Sequence, residues 1–216
     1  MGAPLVRRSV RTGGLLFLVA SLQFILAMAI VQQKYAGYSL TQNYISDLGG
    51  AHSPWALVFD GSVILLGLLT IFAVFLAWDA FDARPSRGIG LFFLLVAGIG
   101  AIGVGVFPET TPVLSGGAHI IASDIAFVGA GLAFLIVSFA MRSPPHWRYS
   151  SSYTLISGLV VILAIILFST NTYLGLGPGG MERLIVAPVL LWALVEGVHL
   201  AALPRLAAGF PSKHTA

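Results

Sequence analysis

The chain has 216 residues, of which 57% are hydrophobic and only 9% are charged. Soluble domains carry about 25% charged residues because their surface faces water. The composition therefore excludes a soluble enzyme, a nucleic-acid-binding protein and a disordered chain. The absence of cysteine excludes disulfides, thiolate metal ligands and a cysteine nucleophile. We expect the lipid bilayer to surround most of this chain.

Six apolar segments are long enough to cross a bilayer as helices, which takes about 20 residues each. They lie at residues 12–33, 54–78, 88–107, 117–141, 152–170 and 181–203. Turn-forming and charged residues separate them, and the alternating pattern typical of membrane β-barrels is absent from the sequence. The sequence predicts an all-α fold: a polytopic membrane protein in which residues 1–216 form a single six-helix bundle.

The basic residues predict the orientation, because cytoplasmic loops of membrane proteins are enriched in Lys and Arg. With a cytoplasmic N-terminus, most of them lie in the inner segments: Arg7, Arg8, Arg11, Arg84, Arg87, Arg142, Arg148, Arg205 and Lys213. Only Lys34 and Arg183 lie in the outer segments. We therefore expect a multi-pass protein of the plasma membrane with both termini in the cytoplasm.

The first span also has features of a signal peptide. Arg7 and Arg8 precede its apolar run, and Ala27-Met28-Ala29 near its end resembles a cleavage site. However, the apolar run has about 19 residues, whereas signal peptides use about 7–15. We expect the segment to remain as the first helix, with a cleaved, five-span protein as the alternative.

Carboxyl groups inside the predicted spans are the main functional signal, because an ionisable group in a membrane calls for a partner or a role. Asp60 lies six residues into the second span and Asp124 seven into the fourth, about 10 Å along the helix axis. Both lie on the outer side. The sequence predicts an outward-facing polar pocket in the outer third of the bundle, lined by Asn43, Ser46, Asp47, Asp60, Glu109, His119, Ser123, Asp124, Glu182 and Arg183.

Several of these residues also have a structural explanation. Glu182 lies in the first turn of its helix, where the helix dipole favours a negative charge. Arg183 is placed to pair with an acid on another helix, and Glu109 to be solvated in a loop. Asp60 and Asp124 favour the pocket, because at their depth bulk water reaches them only through a cavity.

The candidate catalytic residues are His119, Asp124 and Ser123. His119 and Ser123 are four residues apart and share one helix face, while Asp124 points about 100° away from Ser123. No nucleophile motif surrounds the serine, so enzymatic activity stays an open alternative. No metal site is expected, because zinc prefers several His or Cys ligands and this side offers only His52 and His119. The sequence names no cofactor.

A stripe of side chains at steps of three and four runs along the sixth span and includes Glu182, Trp192, Glu196 and His199. Together with Gln23 of the first span, it resembles a broken proton route of a transporter. Proton relays use ionisable groups at mid-membrane depth, which this stripe lacks. The preferred interpretation is that Glu196 and His199 satisfy each other near the inner surface.

Four short motifs follow one another along the chain. They are residues 43–49 (NYISDLG), residues 105–108 (GVFP), His119 at the start of the fourth span, and residues 182–184 (ERL) followed by Leu191-Trp192. With these motifs the chain resembles the membrane-protein family named domain of unknown function 998, from the first span to about Leu203. The resemblance implies a helical protein of bacteria or archaea with six or seven spans and no established activity. It marks as motif positions Asn43, Ser46, Asp47, Pro108, His119, Glu182 and Arg183, whereas family members often have a hydroxyl, an aspartate or an asparagine where Glu109 stands.

Three functions are compatible with these observations. The preferred one is a pocket that binds or moves a lipid or small amphiphile. The second is a membrane-embedded lipid hydrolase or transferase with His119 and an aspartate as acid and base. The third is an accessory subunit that docks a larger membrane complex through faces of small residues. Beyond the bilayer the sequence identifies no partner, so a homo-oligomer and a membrane-protein partner both stay open.

Overall fold

The computed structural model describes residues 3–110, 112–113, 117–142 and 147–208, with side chains described between residues 8 and 203 of these ranges. This part of the chain contains six α-helices and no β-strand. The helices are α1 (Ala3–Lys34), α2 (Ala56–Ala77), α3 (Pro85–Val106), α4 (Gly117–Ala140), α5 (Arg148–Ser169) and α6 (Gly177–Ala208). All six are long and apolar enough to cross a membrane. The predicted all-α, six-span architecture is confirmed.

The start of α6 differs from the predicted span. The sequence placed this start at residue 181 and assigned Pro178-Gly179-Gly180 to a loop, but the helix begins at Gly177. A proline in the first turn of a helix loses no hydrogen bond, because that N–H has no partner within the helix. Gly179 then lets the backbone of residues 40–43 pack directly onto the helix backbone.

The outer faces of the helices are apolar, as a bilayer requires. Each helix exposes at least one large apolar side chain by more than half of its area, namely Leu26, Phe75, Ile99, Ile120, Ile156 and Val198. In water such a surface would drive aggregation. These helices imply that the protein lies in a lipid bilayer, which agrees with the expectation from composition.

The helices form a closed ring in which each packs against its neighbours in the chain, and α6 packs against α1. Backbones approach closely at glycines: a Cβ atom on Gly14 of α1 would lie 2.6 Å from the carbonyl oxygen of Gly197 on α6. Lipid tails are as apolar as leucine, so close backbone packing is a main source of helix association in membranes. We call the end of the ring that holds both termini the terminal end.

The opposite end is covered by the connection between α1 and α2, residues 35–55, which we call the cap. It consists of turns and one short 3₁₀ helix at Ser46–Gly49. Ile45 and Leu48 are buried in it and pack with Phe24 of α1 and Phe59 of α2. The cap is therefore a plug over the bundle and not a helix lying on the membrane surface.

Candidate functional site

A cavity of about 130 Å³ lies inside the ring. Its walls come from α1, α2, α3, α4 and α6, with Ile45 and Ser46 of the cap at one end. Toward the terminal end its floor is aromatic. The Trp192 ring lies 5.7 Å from the ring of Phe17 and 4.5 Å from that of Phe134, measured between centroids. The cavity is mostly apolar, whereas the sequence led us to expect a polar pocket.

Three of the predicted pocket residues line this cavity: Ser46, Ser123 and Glu182. Asp60 is buried, but its carboxylate occupies the space beside Gly49 that a Cβ atom there would need. Asp124 is exposed on the outside of α4. Neither aspartate is among the lining residues. Their depth in the membrane followed from the sequence, but the rotation of each helix about its axis did not.

Within the cap, the turns hold the carboxyl group of Asp47. The Asp47 carboxylate accepts hydrogen bonds from the Asn43 side-chain amide (2.8 Å) and from the Tyr44 backbone N–H (3.0 Å). Glu109, in the loop after α3, lies beside Asp47 and Ser46. Partial desolvation and the neighbouring Asp47 carboxylate raise the pKa of Glu109 to about 7. The predicted residues Asn43, Ser46, Asp47 and Glu109 are thus brought together.

Glu182, in the first turns of α6, holds the cap from the helix side. Its side chain is only 7% exposed, and Oε2 accepts a short hydrogen bond from the backbone N–H of Ile45. Because Ile45 is buried, this N–H has few other partners to replace the carboxylate. Glu182 therefore fixes the cap over the cavity while it also lines the cavity wall.

Arg183 binds the cap through backbone oxygens. Its guanidinium donates to three carbonyl groups, those of Leu40 (2.8 Å), Asn43 (3.1 Å) and Gly179 (2.9 Å). It also donates to the hydroxyl of Tyr38 at 2.6 Å. The sequence-based alternative of an ion pair with an acid on another helix does not describe these contacts. Arg183 instead satisfies the carbonyls of Leu40 and Asn43 in the turns of the cap and that of Gly179 in the first turn of α6.

His119 joins two helix ends. The residue is 7% exposed, and its Nδ1 donates to the carbonyl oxygen of Phe107 at the end of α3 (2.8 Å). The hydrogen bonds found in the described part of the chain do not connect His119 to Ser123 or Asp124. Ser123 lines the cavity, while Asp124 is exposed on the outside of the ring. The three candidate catalytic residues are therefore not assembled into a triad in this arrangement.

A second polar cluster lies at the terminal end, beyond the aromatic floor. Glu196 of α6 is fully buried, and its Oε2 is 3.3 Å from Nδ1 of His199. The same nitrogen is 2.9 Å from the hydroxyl of Ser150 on α5. The other carboxylate oxygen, Oε1, is buried and has no hydrogen-bond partner among the residues that the structure describes. The contact between Glu196 and His199 agrees with the sequence-based interpretation, but the carboxylate is only half satisfied, which sequence spacing did not indicate.

Comparison with known proteins supplies the family. Residues 18–199 match the family described as protein of unknown function, DUF998. The chain belongs to the DUF998 family. This confirms the resemblance seen in the short motifs. No match was found among curated proteins or among solved structures.

The structure gives the DUF998 motif positions a common location. Four of them, Asn43, Asp47, Glu182 and Arg183, make the hydrogen bonds that build the cap or hold it to α6. His119 joins the start of α4 to the end of α3 at the same end of the ring. Within the described ranges, no three His, Cys, Asp or Glu side chains come together as a potential metal site.

Proposed function

We propose that this DUF998 protein binds a lipid or small amphiphile in its central cavity, with the cap facing the outside of the plasma membrane. The observation that carries the proposal is the cavity itself, which has an aromatic floor, apolar walls, and the polar groups of Ser46 and Glu182 at the cap end. An apolar tail in the cavity and a polar head at the cap would match this distribution. The orientation is supported by the basic residues, since nearly all of them belong to the terminal end.

The size of the cavity limits what it holds. An apolar cavity of about 150 Å³ in a soluble protein stays dry and binds benzene. The cavity here is about 130 Å³, so it accepts one ring or a short stretch of an acyl chain. A longer tail would extend between helices into the bilayer, which suits an amphiphile that enters from the membrane.

The charges favour a neutral or cationic head group. The described residues that line the cavity include Glu182 but no Lys, Arg or His. Asp47 and Glu109 add carboxyl groups close to the same end. Arg183 is already engaged with backbone oxygens. A phosphate would meet carboxyl groups without a free cation, whereas a hydroxyl or an amine would find acceptors.

The enzymatic alternative has less support. An acid and a base must both reach one reacting atom, but His119 is bonded to Phe107 and Asp124 lies on the outside of α4. The accessory-subunit alternative is addressed by the same experiment as the binding proposal, because a structural subunit has no need of a ligand in the cavity.

The test uses a long-chain alcohol that carries a photoreactive diazirine on its tail, added to the protein in phospholipid vesicles. Irradiation should label cavity-lining segments of α3 and α4. Ala101→Phe places a ring in the cavity, and we expect it to reduce this labelling about tenfold, a loss of about 1.4 kcal/mol in binding. Ile99→Phe is the matched control, because Ile99 is 59% exposed on the lipid side of the same helix.

Two outcomes would contradict the proposal. In one, Ala101→Phe and Ile99→Phe are labelled alike. In the other, all labelling falls on lipid-facing side chains. A phosphate ester of the same alcohol tests the head group, and labelling that is stronger with the ester would overturn the preference for a neutral or cationic head.

A further inference from the structure

The terminal end contains a buried carboxyl group, that of Glu196. Glu196 has no exposed surface, and its Oε2 faces His199 at 3.3 Å, while its Oε1 has no hydrogen-bond partner in the part of the chain that the structure describes. Buried carboxylates in folded proteins normally have partners for both oxygens, because an unpaired charge in an apolar interior is costly. A neutral carboxylic acid at this position avoids most of that cost.

We infer that Glu196 and His199 form a proton-binding site, in which the pair shares one proton and exchanges it with water at the terminal end. In one state the carboxyl of Glu196 holds the proton and His199 is neutral. In the other, the proton lies on His199 and forms an ion pair with the carboxylate. The proton then belongs to the site and not to one residue.

His199 lies about one helical turn from Glu196 toward the terminal end. His199 retains partial exposure, with 17% of its side chain accessible, whereas Glu196 has none. The His199 ring packs against Trp147 at 4.4 Å between centroids, and the Ser150 hydroxyl fixes Nδ1 of His199. A proton from the terminal side therefore meets His199 first and Glu196 second. On the other side of Glu196, one helical turn away, Trp192 closes the floor of the cavity.

The other titratable and charged groups near this end of the ring lie on α5, on α1 and on the chain after α4. On α5, Tyr153 is close enough to interact electrostatically with Glu196, and Arg148 is exposed. On α1, Arg8 and Arg11 are exposed, and on the chain after α4 the exposed Arg142 lies over the Phe139 ring at 3.9 Å. Among the described side chains, none of these arginines makes a salt bridge with Glu196. A use of the proton to drive ligand movement would rest on the proposed function, but the proton site itself does not.

The test uses dicyclohexylcarbodiimide, an apolar reagent that reacts with protonated carboxyl groups and leaves an adduct that mass spectrometry locates. With the full chain in phospholipid vesicles, we expect an adduct on Glu196. Its initial rate of formation should fall about tenfold per pH unit above the midpoint of the site. Glu196→Gln should lose the adduct, whereas Asp124→Asn, which changes a carboxyl group exposed on the outside of α4, should retain it.

A second variant tests the sharing of the proton. His199→Gln keeps a polar side chain but removes the base. It should increase labelling of Glu196 at every pH at which His199 holds the proton in the parent protein. The inference fails if Glu196 is unlabelled between about pH 5 and 9, as in a permanent ion pair, or if His199→Gln leaves the labelling profile unchanged.

The direction of access is tested on the parent protein alone, so that no variant has to fold. In vesicles of known orientation, the pH is changed on one side at a time. Labelling of Glu196 should follow the pH on the terminal side. Labelling that follows the pH on the cap side would mean that the proton arrives through the cavity, and it would overturn the role of His199. Since no ligand is added, failure here is distinguishable from failure of the binding proposal.

Discussion

Glu182 and Glu196 are two buried glutamates on the same helix, about 21 Å apart along its axis at 1.5 Å per residue. Glu182 accepts a backbone hydrogen bond from the cap, and its neighbour Arg183 binds two cap carbonyls, those of Leu40 and Asn43. Glu196 contacts His199 of its own helix, and its other oxygen has no hydrogen-bond partner among the described residues. The comparison teaches that burial alone does not assign a role, because the partners of a carboxyl group decide whether it holds structure or exchanges a proton.

The largest effect is expected for Arg183→Ala, which leaves two cap carbonyls and the Gly179 carbonyl of α6 without their charged donor. Hydrogen bonds to charged groups contribute about 1.5–3 kcal/mol each, and water at the cap end replaces some of them. We expect a loss of about 3 kcal/mol in unfolding free energy, measured as a lower thermal midpoint in detergent, and faster proteolysis within residues 35–55. Arg148→Ala is the control, because Arg148 is exposed. Equal midpoints for the two variants would remove the structural role of Arg183.

The comparison between the two glutamates is sharpened by matched substitutions. Glu182→Ala leaves the buried N–H of Ile45 unsatisfied and should cost about 2 kcal/mol. Glu182→Gln retains an acceptor oxygen and should cost less than about 1 kcal/mol. Glu196→Gln should leave stability within about 0.5 kcal/mol of the parent, since no backbone group depends on it. Thermal unfolding of the three variants checks this order, and a Glu196→Gln variant that is less stable than Glu182→Ala would reverse the comparison.

A smaller effect is expected where the cap lies directly on the backbone of α6. A Cβ atom on Gly179 would lie 2.0 Å from the carbonyl oxygen of Asn43, so Gly179→Ala must displace the cap. We expect a loss of about 1.5 kcal/mol in unfolding free energy, in the range seen for overpacked sites. Gly61→Ala is the control, because nothing lies within 4 Å of a Cβ there, and alanine is the better helix former by about 1 kcal/mol. A stabilised Gly179→Ala variant would show that the cap is not held at this contact.

The smallest effect concerns the pH dependence of the cap. The pKa of Glu109 is raised to about 7, so the folded protein retains this proton at pH values where the unfolded chain has already released it. Stability therefore falls as the pH rises from about 5 to about 7. Because the residue as a whole is exposed, we expect only about 0.5 kcal/mol. Thermal midpoints of the parent and of Glu109→Gln across this range test it, since the variant should lose the slope that this residue contributes.

Much of the cap could be anticipated, because its polar residues cluster in short motifs. The sequence pointed to Asn43, Asp47, Glu182 and Arg183 as one region, and the structure joins them through the cap. The sequence did not indicate that Arg183 would bind carbonyl groups. That contact depends on the early start of α6, which brings Gly179 and Arg183 up to the cap backbone. A proline followed by two glycines was the available signal, and it reads equally well as a loop.

The number and length of the spans follow from the amino-acid sequence alone, because transfer of a segment into lipid depends on its own apolar length. The depth of each polar residue follows in the same way, from counting residues along a helix. The direction in which each residue points depends instead on how the helices pack. In a soluble helix the polar face marks the solvent side, but here the outside is as apolar as the inside, so nothing in the hydropathy turned Ser123 toward the cavity and Asp124 away from it. Close backbone packing at small residues sets that rotation.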